Sequence, residues 1–263
     1  MVKLAANLSM LFTELPFLDR FAAAADAGFG AVEFLFPYEH SPDEIVRALR
    51  TNRLELALFN LPAGDWAGGM RGLAALPGRE AECRAGAALA LDYARAAGCR
   101  RLHLMAGITA GLDPQACRAA MVANLRHAAQ LVEGDGIEIL LEPINTRVDM
   151  PGYFHDTTAA ALGLIAEAGC PNVKLQYDIY HMQIMEGDLA RTIARLLPSI
   201  GHVQLADNPG RGEPGTGEIA YPWLLGHIDS LGYEGFVGCE YRPVAGTAAG
   251  LGWAAPYLAR GTD

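Results

Sequence analysis

Eight short apolar segments alternate with longer amphipathic segments along this chain, and this alternation restricts the fold more than any other feature. The apolar segments predict strands at 4–9, 31–36, 54–60, 101–106, 137–142, 173–178, 200–206 and 236–241. The amphipathic segments predict helices at 17–27, 42–52, 79–97, 114–133, 157–168, 188–197 and 222–231. Each unit averages about 33 residues, which favours an α/β fold of the (β/α)₈ TIM-barrel type. An open, doubly wound sheet is the alternative.

The length and composition allow this barrel to be one domain covering residues 1–263. A single barrel commonly takes about 250 residues. Apolar residues make up 51% of the chain and charged residues 19%, which is enough for one large core and too little charge for a disordered chain. The formal charge is −10, without a cluster of lysine or arginine, so the composition disfavours nucleic-acid binding.

Cysteine usage and hydropathy indicate the compartment. The five cysteines are odd in number, scattered and free of any C-x-x-C pair, so neither a disulfide framework nor a zinc knuckle is indicated and a cytoplasmic location fits best. Polar residues interrupt the first twenty positions, which argues against a signal peptide. The longest uncharged run, 243–259, contains two prolines and three glycines, so we expect no membrane association.

Two connections are longer than simple turns. Residues 61–78 follow the third predicted strand, and residues 207–218 follow the seventh. Barrel enzymes build their active sites from the loops at the carboxyl ends of their strands. We therefore interpret both segments as substrate loops or lids, with a plain surface loop as the alternative.

The last four predicted strands carry polar residues on one face and apolar residues on the other. The polar faces, which must point into the barrel, carry Glu138, Glu142, Lys174, Gln176, Asp178, His202, Gln204 and Glu240. Four of these side chains stand at or near the carboxyl ends of neighbouring strands, where a barrel brings strand ends together. We predict that Glu142, Asp178, Gln204 and Glu240 surround one point.

Three carboxylates at one point repel each other unless a cation neutralises them, so this arrangement predicts a metal. Ligands that are all oxygen favour Mg²⁺ or Mn²⁺, whereas zinc prefers nitrogen or sulfur. The alternative is that each carboxylate simply pairs with a neighbouring lysine or arginine.

Several motifs carry a resemblance to a known family: VEFLFPY, NLPAGDWAGGMRGLAALPGRE, LEPIN, QYDIYHMQIMEGDL, HVQLADNPGRGEPGTGEIAY and GCEYRP. On these motifs the chain resembles the hydroxypyruvate isomerase family, within the xylose isomerase-like barrels, from about residue 3 to Trp253. The resemblance implies a (β/α)₈ barrel that interconverts hydroxypyruvate and tartronate semialdehyde.

The resemblance also implies roles for single residues. Glu142 and Glu240 match the catalytic acid/base pair of the family. The quartet Glu142, Asp178, Gln204 and Glu240 matches the positions that hold a divalent metal in metal-binding relatives, and His181 and Arg211 match substrate-contacting positions in related sugar epimerases.

The predicted chemistry agrees with these residue types. Moving a carbonyl between adjacent carbons requires a base, an acid and stabilisation of an enediolate, which two glutamates and a divalent metal provide. The substrate is itself a small oxo acid, so a cation must hold its carboxylate, and Arg211 is the first candidate, followed by His181 and Lys174. The roles of Asn7, Glu33, Trp66 and His103 are left open.

Three other functions remain as alternatives. A 2-oxotetronate isomerase would keep the fold, the ligands and the mechanism and change only the substrate. A metal-dependent barrel nuclease is disfavoured by the negative charge and by the small number of histidines near the proposed ligands. A non-catalytic sugar-acid binding protein would not need two acid/base groups. The sequence leaves open whether the chain forms a homo-oligomer.

Overall fold

Eight parallel strands close into a barrel in the computed structural model, which describes residues 1–258. The strands follow each other around the barrel in chain order, and β8 pairs with β1 to close it. They are β1 (Lys3–Asn7), β2 (Ala31–Phe34), β3 (Glu55–Asn60), β4 (Arg101–His103), β5 (Glu138–Leu141), β6 (Val173–Asp178), β7 (Ile200–Leu205) and β8 (Phe236–Cys239). The prediction of a (β/α)₈ barrel is confirmed, and the open-sheet alternative is wrong.

Helices pack around the outside of the barrel. They are α1 (Arg20–Asp26), α2 (Pro42–Asn52), α3 (Glu80–Ala97), α4 (Pro114–Val132), α5 (Thr158–Ala168), α6 (Ile179–Met185), α7 (Leu189–Leu196), α8 (Tyr221–Ser230), α9 (Thr247–Gly250) and α10 (Ala255–Leu258). No helix within residues 1–258 is both long and apolar enough to cross a membrane.

The helix ends agree with the signals in the sequence. Helix α2 begins with a capping box, in which Ser41 accepts from the Glu44 amide and the Glu44 carboxylate accepts from the Ser41 amide. Asp113 caps α4 by accepting from the amides of Gln115 and Ala116, ahead of Pro114 at the first turn. At its other end α3 stops at Gly98, whose φ of 70° lies in the left-handed region.

Strand β4 ends at His103, three residues before its predicted end. Apart from such shifts at element ends, the structure differs from the predicted elements in two places. The short helix α6 begins directly after β6 and was not predicted, because Asp178, the last residue of that strand, also caps the helix. Residues 247–258 form short helical turns, α9 and α10 among them, where no helix was predicted. Residues 259–263, the end of the predicted domain, lie outside the described residues.

The two faces of the strands pack as predicted. Side chains such as Val203, Leu205 and Val237 face outward and are buried against the helices. At the amino end of the lumen, Ala5, Ala31 and Ala57 form a small apolar plug with Phe236. Above this plug the lumen is polar, because Glu33, Gln176, His202 and Gln204 are all buried there. The polar layer supports the mouth of the barrel, where the site lies.

The loop after β3 is folded against the segment that follows β4. Gly72 forms an isolated bridge with Ala106, and the amide of Ala75 donates to the Ala106 carbonyl at 2.8 Å. Gly72 has a φ of 128°, and a Cβ there would collide with the carbonyl of Met105, so the close approach requires glycine. The loop is thereby fixed at the barrel mouth.

The loop after β7 is organised by one buried carboxylate. Asp207 accepts hydrogen bonds from the amides of Asn208, Gly215, Gly217 and Ile219, at 2.8 to 3.0 Å. Such bonds to a charged acceptor are stronger than neutral ones. Asp207 therefore holds together the loop that carries Arg211.

Candidate active site

The four predicted strand-end residues lie at one mouth of the barrel and are buried. Asp178 ends β6 and Gln204 lies near the end of β7, whereas Glu142 and Glu240 directly follow β5 and β8. A cavity of about 220 Å³ opens at this mouth, and its lining includes Glu142, Gln204, Glu240, His181 and Arg211. The prediction that these side chains gather at one mouth agrees with the structure.

A chain of amide side chains connects the carboxylates. Nε2 of Gln176 donates to Oε2 of Glu142 at 3.2 Å and to Oε1 of Gln204 at 2.6 Å. Nε2 of Gln204 in turn donates to Oε2 of Glu240 and, at 2.8 Å, to Oε1 of Glu33. The two amides therefore fix the positions of the two candidate acid/base glutamates relative to each other.

Glu33 lies beneath this chain and is fully buried. Asn7 donates to its Oε1 at 3.0 Å, and Nε2 of His202 lies 2.6 Å from its Oε2. Gly238 faces it from β8, and a Cβ at that position would collide with the Glu33 carboxylate. The sequence left the role of Glu33 open, and the structure indicates a supporting role, because the Glu33 carboxylate orients the Gln204 amide.

Glu142, Asp178 and His181 bring ligand atoms within 4.8 Å of one another. Oδ1 of Asp178 accepts from the amides of Tyr180 and His181 at the start of α6. Its Oδ2 is buried without a hydrogen-bond partner among the described residues and faces Nε2 of His181 at 3.8 Å. A buried carboxylate oxygen without a donor suits a cation.

The tautomer of His181 follows from its neighbours. The amides of Val148 and Asp149 donate to Oδ1 of Asn145, so Nδ2 of Asn145 is the atom 2.7 Å from Nδ1 of His181. Nδ1 therefore accepts, and the neutral ring carries its proton on Nε2. Burial lowers the pKa of His181 to about 4, so the neutral form prevails. The Nε2 proton points to Glu142, 3.6 Å away, and makes His181 a donor rather than a metal ligand.

Arg211 lies between two carboxylates. Its Nη2 donates to Oε1 of Glu240 at 2.9 Å, and its Nη1 donates to Oδ1 of Asp149 at 3.1 Å. The guanidinium also lies 5.2 Å from the centre of the Tyr180 ring. Burial alone would lower the pKa of Arg211, but the surrounding carboxylates raise it on balance, so its charge is permanent.

The environments of the two glutamates differ. Burial, together with the charges of Glu240 and Asp178, raises the pKa of Glu142 well above its usual value. Burial also raises the pKa of Glu240, to about 8, but the Arg211 charge opposes this rise. The Arg211 charge also opposes the rise at Glu142, but there it comes after the repulsion from Glu240 and Asp178, whereas at Glu240 Arg211 donates directly and is the first cause after burial. Such unequal environments separate an acid from a base.

The structure does not support the prediction that Lys174 binds the substrate. It is the second residue of β6, whereas Asp178 is the last, and the strand rise separates them by about 13 Å. Lys174 does not line the cavity at the mouth. The alternation of faces was interpreted correctly, but the position along the strand places Lys174 toward the opposite end of the barrel.

The structure adds residues to which the sequence assigned no role. Asn145 and Asp149 hold His181 and Arg211, and Gln176 links Glu142 to Gln204. The alternation of polar and apolar residues placed Gln176 on the inward face of its strand, and this alternation is the signal from which its position in the site could be predicted. Asn145 and Asp149 lie in a loop, where no periodicity indicates which way a side chain points.

A family model described as a xylose isomerase-like TIM barrel matches residues 21–257, and the chain belongs to this family. The chain is 54% identical over 261 residues to a 2-oxo-tetronate isomerase of Cupriavidus necator, covering 99% of this chain and 100% of the relative. It is 51% identical over 258 residues to a hydroxypyruvate isomerase of Escherichia coli, covering 98% and 100%. At this level of identity over nearly the whole length, the chain is an enzyme, an isomerase.

A solved structure from Brucella melitensis, described as an AP endonuclease of family 2, has a TM-score of 0.96 to this chain. The two are 51% identical, over 98% of this chain and 99% of the other. The similarity extends over the whole barrel.

Replacing Arg211 by Lys is expected to lower kcat/KM by about 10- to 100-fold, because one ammonium cannot donate to Asp149 and Glu240 with two separate nitrogens. The melting temperature should change little, since the positive charge stays. Arg191→Lys, on the exposed face of α7, is the matched control. Steady-state kinetics and thermal unfolding of the two variants provide the measurement. Unchanged kinetics in Arg211→Lys would show that Arg211 has no part in catalysis or substrate binding.

Proposed function

We propose that this isomerase interconverts hydroxypyruvate and tartronate semialdehyde by proton transfer between adjacent carbons. The observation that carries the proposal is the pair of buried glutamates, Glu142 and Glu240, which border one small cavity in unequal electrostatic environments. The identity to the hydroxypyruvate isomerase of Escherichia coli supports the choice of substrate.

The site fits a divalent metal. Oδ2 of Asp178 is buried without a donor among residues 1–258, and Glu142 lies beside it. We propose that Glu142, Asp178, Gln204 and Glu240 hold the ion, and the oxygen ligands favour Mg²⁺ or Mn²⁺. When bound, the metal supplies Lewis-acid stabilisation of negative charge on the substrate oxygens.

The two glutamates perform the proton transfers. In the direction from hydroxypyruvate, Glu240 in its ionised form removes a proton from C3, and an enediolate forms across C2 and C3. Glu142 in its protonated form delivers a proton to C2. The C3 hydroxyl loses its proton and becomes the aldehyde, while the C2 oxygen gains a proton and becomes a hydroxyl. The roles reverse in the opposite direction.

The remaining residues of the site orient these groups. His181 presents its Nε2 proton toward Glu142 and the cavity, where it can donate to a substrate oxygen. Arg211 fixes the Glu240 carboxylate and keeps it ready to ionise. Gln176 donates to Glu142 and Gln204 donates to Glu240, and these bonds keep the two carboxylates apart. The site thus has rigid acid/base groups around a small space, as proton transfer requires.

A 2-oxotetronate isomerase is the second candidate, because the relative from Cupriavidus necator has that name at 54% identity. The two substrates differ by one carbon, and the cavity of about 220 Å³ suits a small acid of either length. We favour the shorter acid on the motifs LEPIN, YDIYHM and ADNPGRGEPGTGE. Initial rates with hydroxypyruvate and 2-oxotetronate, measured side by side, decide: a higher kcat/KM for the C4 acid would overturn the choice.

The alternative of a metal-dependent nuclease has one observation in its favour, the description of the structure from Brucella melitensis. The site argues against it here, because a small cavity of about 220 Å³ suits a small acid, and a chain of charge −10 repels a phosphate backbone. We propose a small oxo acid as the only ligand class besides the metal. We also propose a cytoplasmic location, on the odd and scattered set of cysteines in the sequence.

A further inference from the structure

The carboxylate of an oxo-acid substrate needs a cation, and Arg211 is poorly placed to supply it. Both terminal nitrogens of Arg211 already bind protein carboxylates, on Glu240 and Asp149. Asp178 adds further negative charge around it. A substrate carboxylate at Arg211 would therefore approach a group whose charge is already more than balanced by acidic neighbours.

We propose that Arg71, on the loop after β3, binds the carboxylate of the substrate, an inference that rests on the proposed function. Arg71 lines the same cavity as Glu142 and Glu240. Its Nη1 donates to the carbonyls of Trp66 at 3.0 Å and Met70 at 2.8 Å. Its Nε and Nη2 have no partner among residues 1–258, and no carboxylate of that range forms an ion pair with it. Arg71 thus offers an unneutralised charge and free donors.

The guanidinium of Arg71 is held in place before any ligand arrives. It lies 4.2 Å from the centre of the Trp66 ring, and Trp66 packs edge-on against Phe36. The next residue, Gly72, is joined to the segment that follows β4 through its bridge with Ala106. A fixed planar guanidinium loses little entropy on binding, so it suits recognition of a carboxylate. The roles of Trp66 and of this loop, left open by the sequence, are then to position Arg71.

The placement also orients the substrate. A carboxylate bound at Arg71 directs the remaining carbons of the molecule away from this loop, toward the acidic wall formed by Glu142 and Glu240. Arg242 also lines the cavity, but its side chain is exposed to solvent, which weakens any ion pair it forms. The structure therefore favours Arg71 as the residue that selects acids over neutral hydroxyketones.

The test compares an acid with a neutral analogue of the same shape. Hydroxypyruvate and hydroxypyruvamide differ only in the charged group. For Arg71→Gln we expect kcat/KM for hydroxypyruvate to fall about 10- to 100-fold, mainly through KM, because one charged hydrogen-bonding group is lost. The kcat/KM for hydroxypyruvamide should stay within about threefold, and Arg71→Lys should recover part of the loss on the acid. Arg79→Gln, at the far end of the same loop and outside the cavity lining, is the matched control.

Every outcome bears on the proposal. Equal losses on both substrates would show that Arg71 only supports the loop and would overturn it. A selective loss of the acid in Arg242→Gln, with Arg71→Gln unaffected, would also overturn it. If the wild type does not turn over the amide, the same comparison is made by binding. Calorimetry then measures the affinities of the wild type and the variants for glycolate, an acid, and for glycolamide, its neutral amide. If the wild type does not convert hydroxypyruvate at all, the proposed function fails, and the glycolate comparison still decides the role of Arg71.

Discussion

Replacing Glu142 or Glu240 by Gln is expected to lower kcat by more than about 10²-fold, the usual scale for losing one positioned acid/base group. Glutamine has nearly the same shape and one carbonyl oxygen that still accepts a hydrogen bond, but it cannot accept a proton from carbon. At position 240 its amide nitrogen would also face one of the two donors, Gln204 or Arg211. Steady-state kinetics with hydroxypyruvate, and with tartronate semialdehyde for the reverse direction, provide the measurement.

Glu138→Gln is the matched control for these variants. Glu138 is the first residue of β5, the strand that Glu142 directly follows. It is half-buried at the end of the strand away from the site and pairs with Arg101. This variant should keep its activity and its fold. Metal content of all three variants, measured on the purified proteins, separates loss of the ion from loss of the proton-transferring group. Retained activity in both Glu142→Gln and Glu240→Gln would show that the paired-carboxylate mechanism is wrong.

Replacing Gly238 by Ala is expected to destabilise the protein by about 1 to 3 kcal/mol, the range for inserting a methyl group into a packed interior. The new Cβ would collide with the Glu33 carboxylate, which Asn7, His202 and Gln204 hold on the other sides. If Glu33 moves, the Gln204 amide moves with it and Glu240 loses its position, so we also expect kcat to fall by about 10²-fold.

Gly226→Ala is the matched control, because Gly226 lies inside α8 and a Cβ there meets no atom of residues 1–258 within 4 Å. Alanine in a helix interior should be neutral or slightly stabilising. Chemical unfolding and initial rates of the two variants give both quantities. Full stability and full activity in Gly238→Ala would contradict the role assigned to Glu33.

Period-two alternation along the strands made much of the site predictable. Once the barrel was inferred, the inward polar faces determined which side chains share the lumen, and the strand ends determined which of them share the mouth. Glu142, Asp178, Gln204 and Glu240 could therefore be placed together before the structure was known. Lys174 shows the limit of the same reasoning, because alternation gives the face and not the depth.

The supporting residues could not be predicted because they depend on loop geometry. The contact of Asn145 with His181 arises from the turn after β5, in which Asn145 also accepts from the Val148 and Asp149 amides. Arg71 reaches the cavity because Gly72 allows the loop to approach β4 closely. Neither arrangement has a periodic signal. Helix α6 was missed because one residue, Asp178, serves both the strand and the helix.

Following purified protein and hydroxypyruvate by proton NMR in D₂O, before and after treatment with a chelator, tests the central claim most directly. We predict that tartronate semialdehyde accumulates with deuterium at C2, because a carboxylate exchanges its proton with solvent before delivering it. Chelation should slow the reaction, and added Mg²⁺ or Mn²⁺ should restore it. If the protein converts neither hydroxypyruvate nor 2-oxotetronate under any of these conditions, the assignment as an oxo-acid isomerase is contradicted.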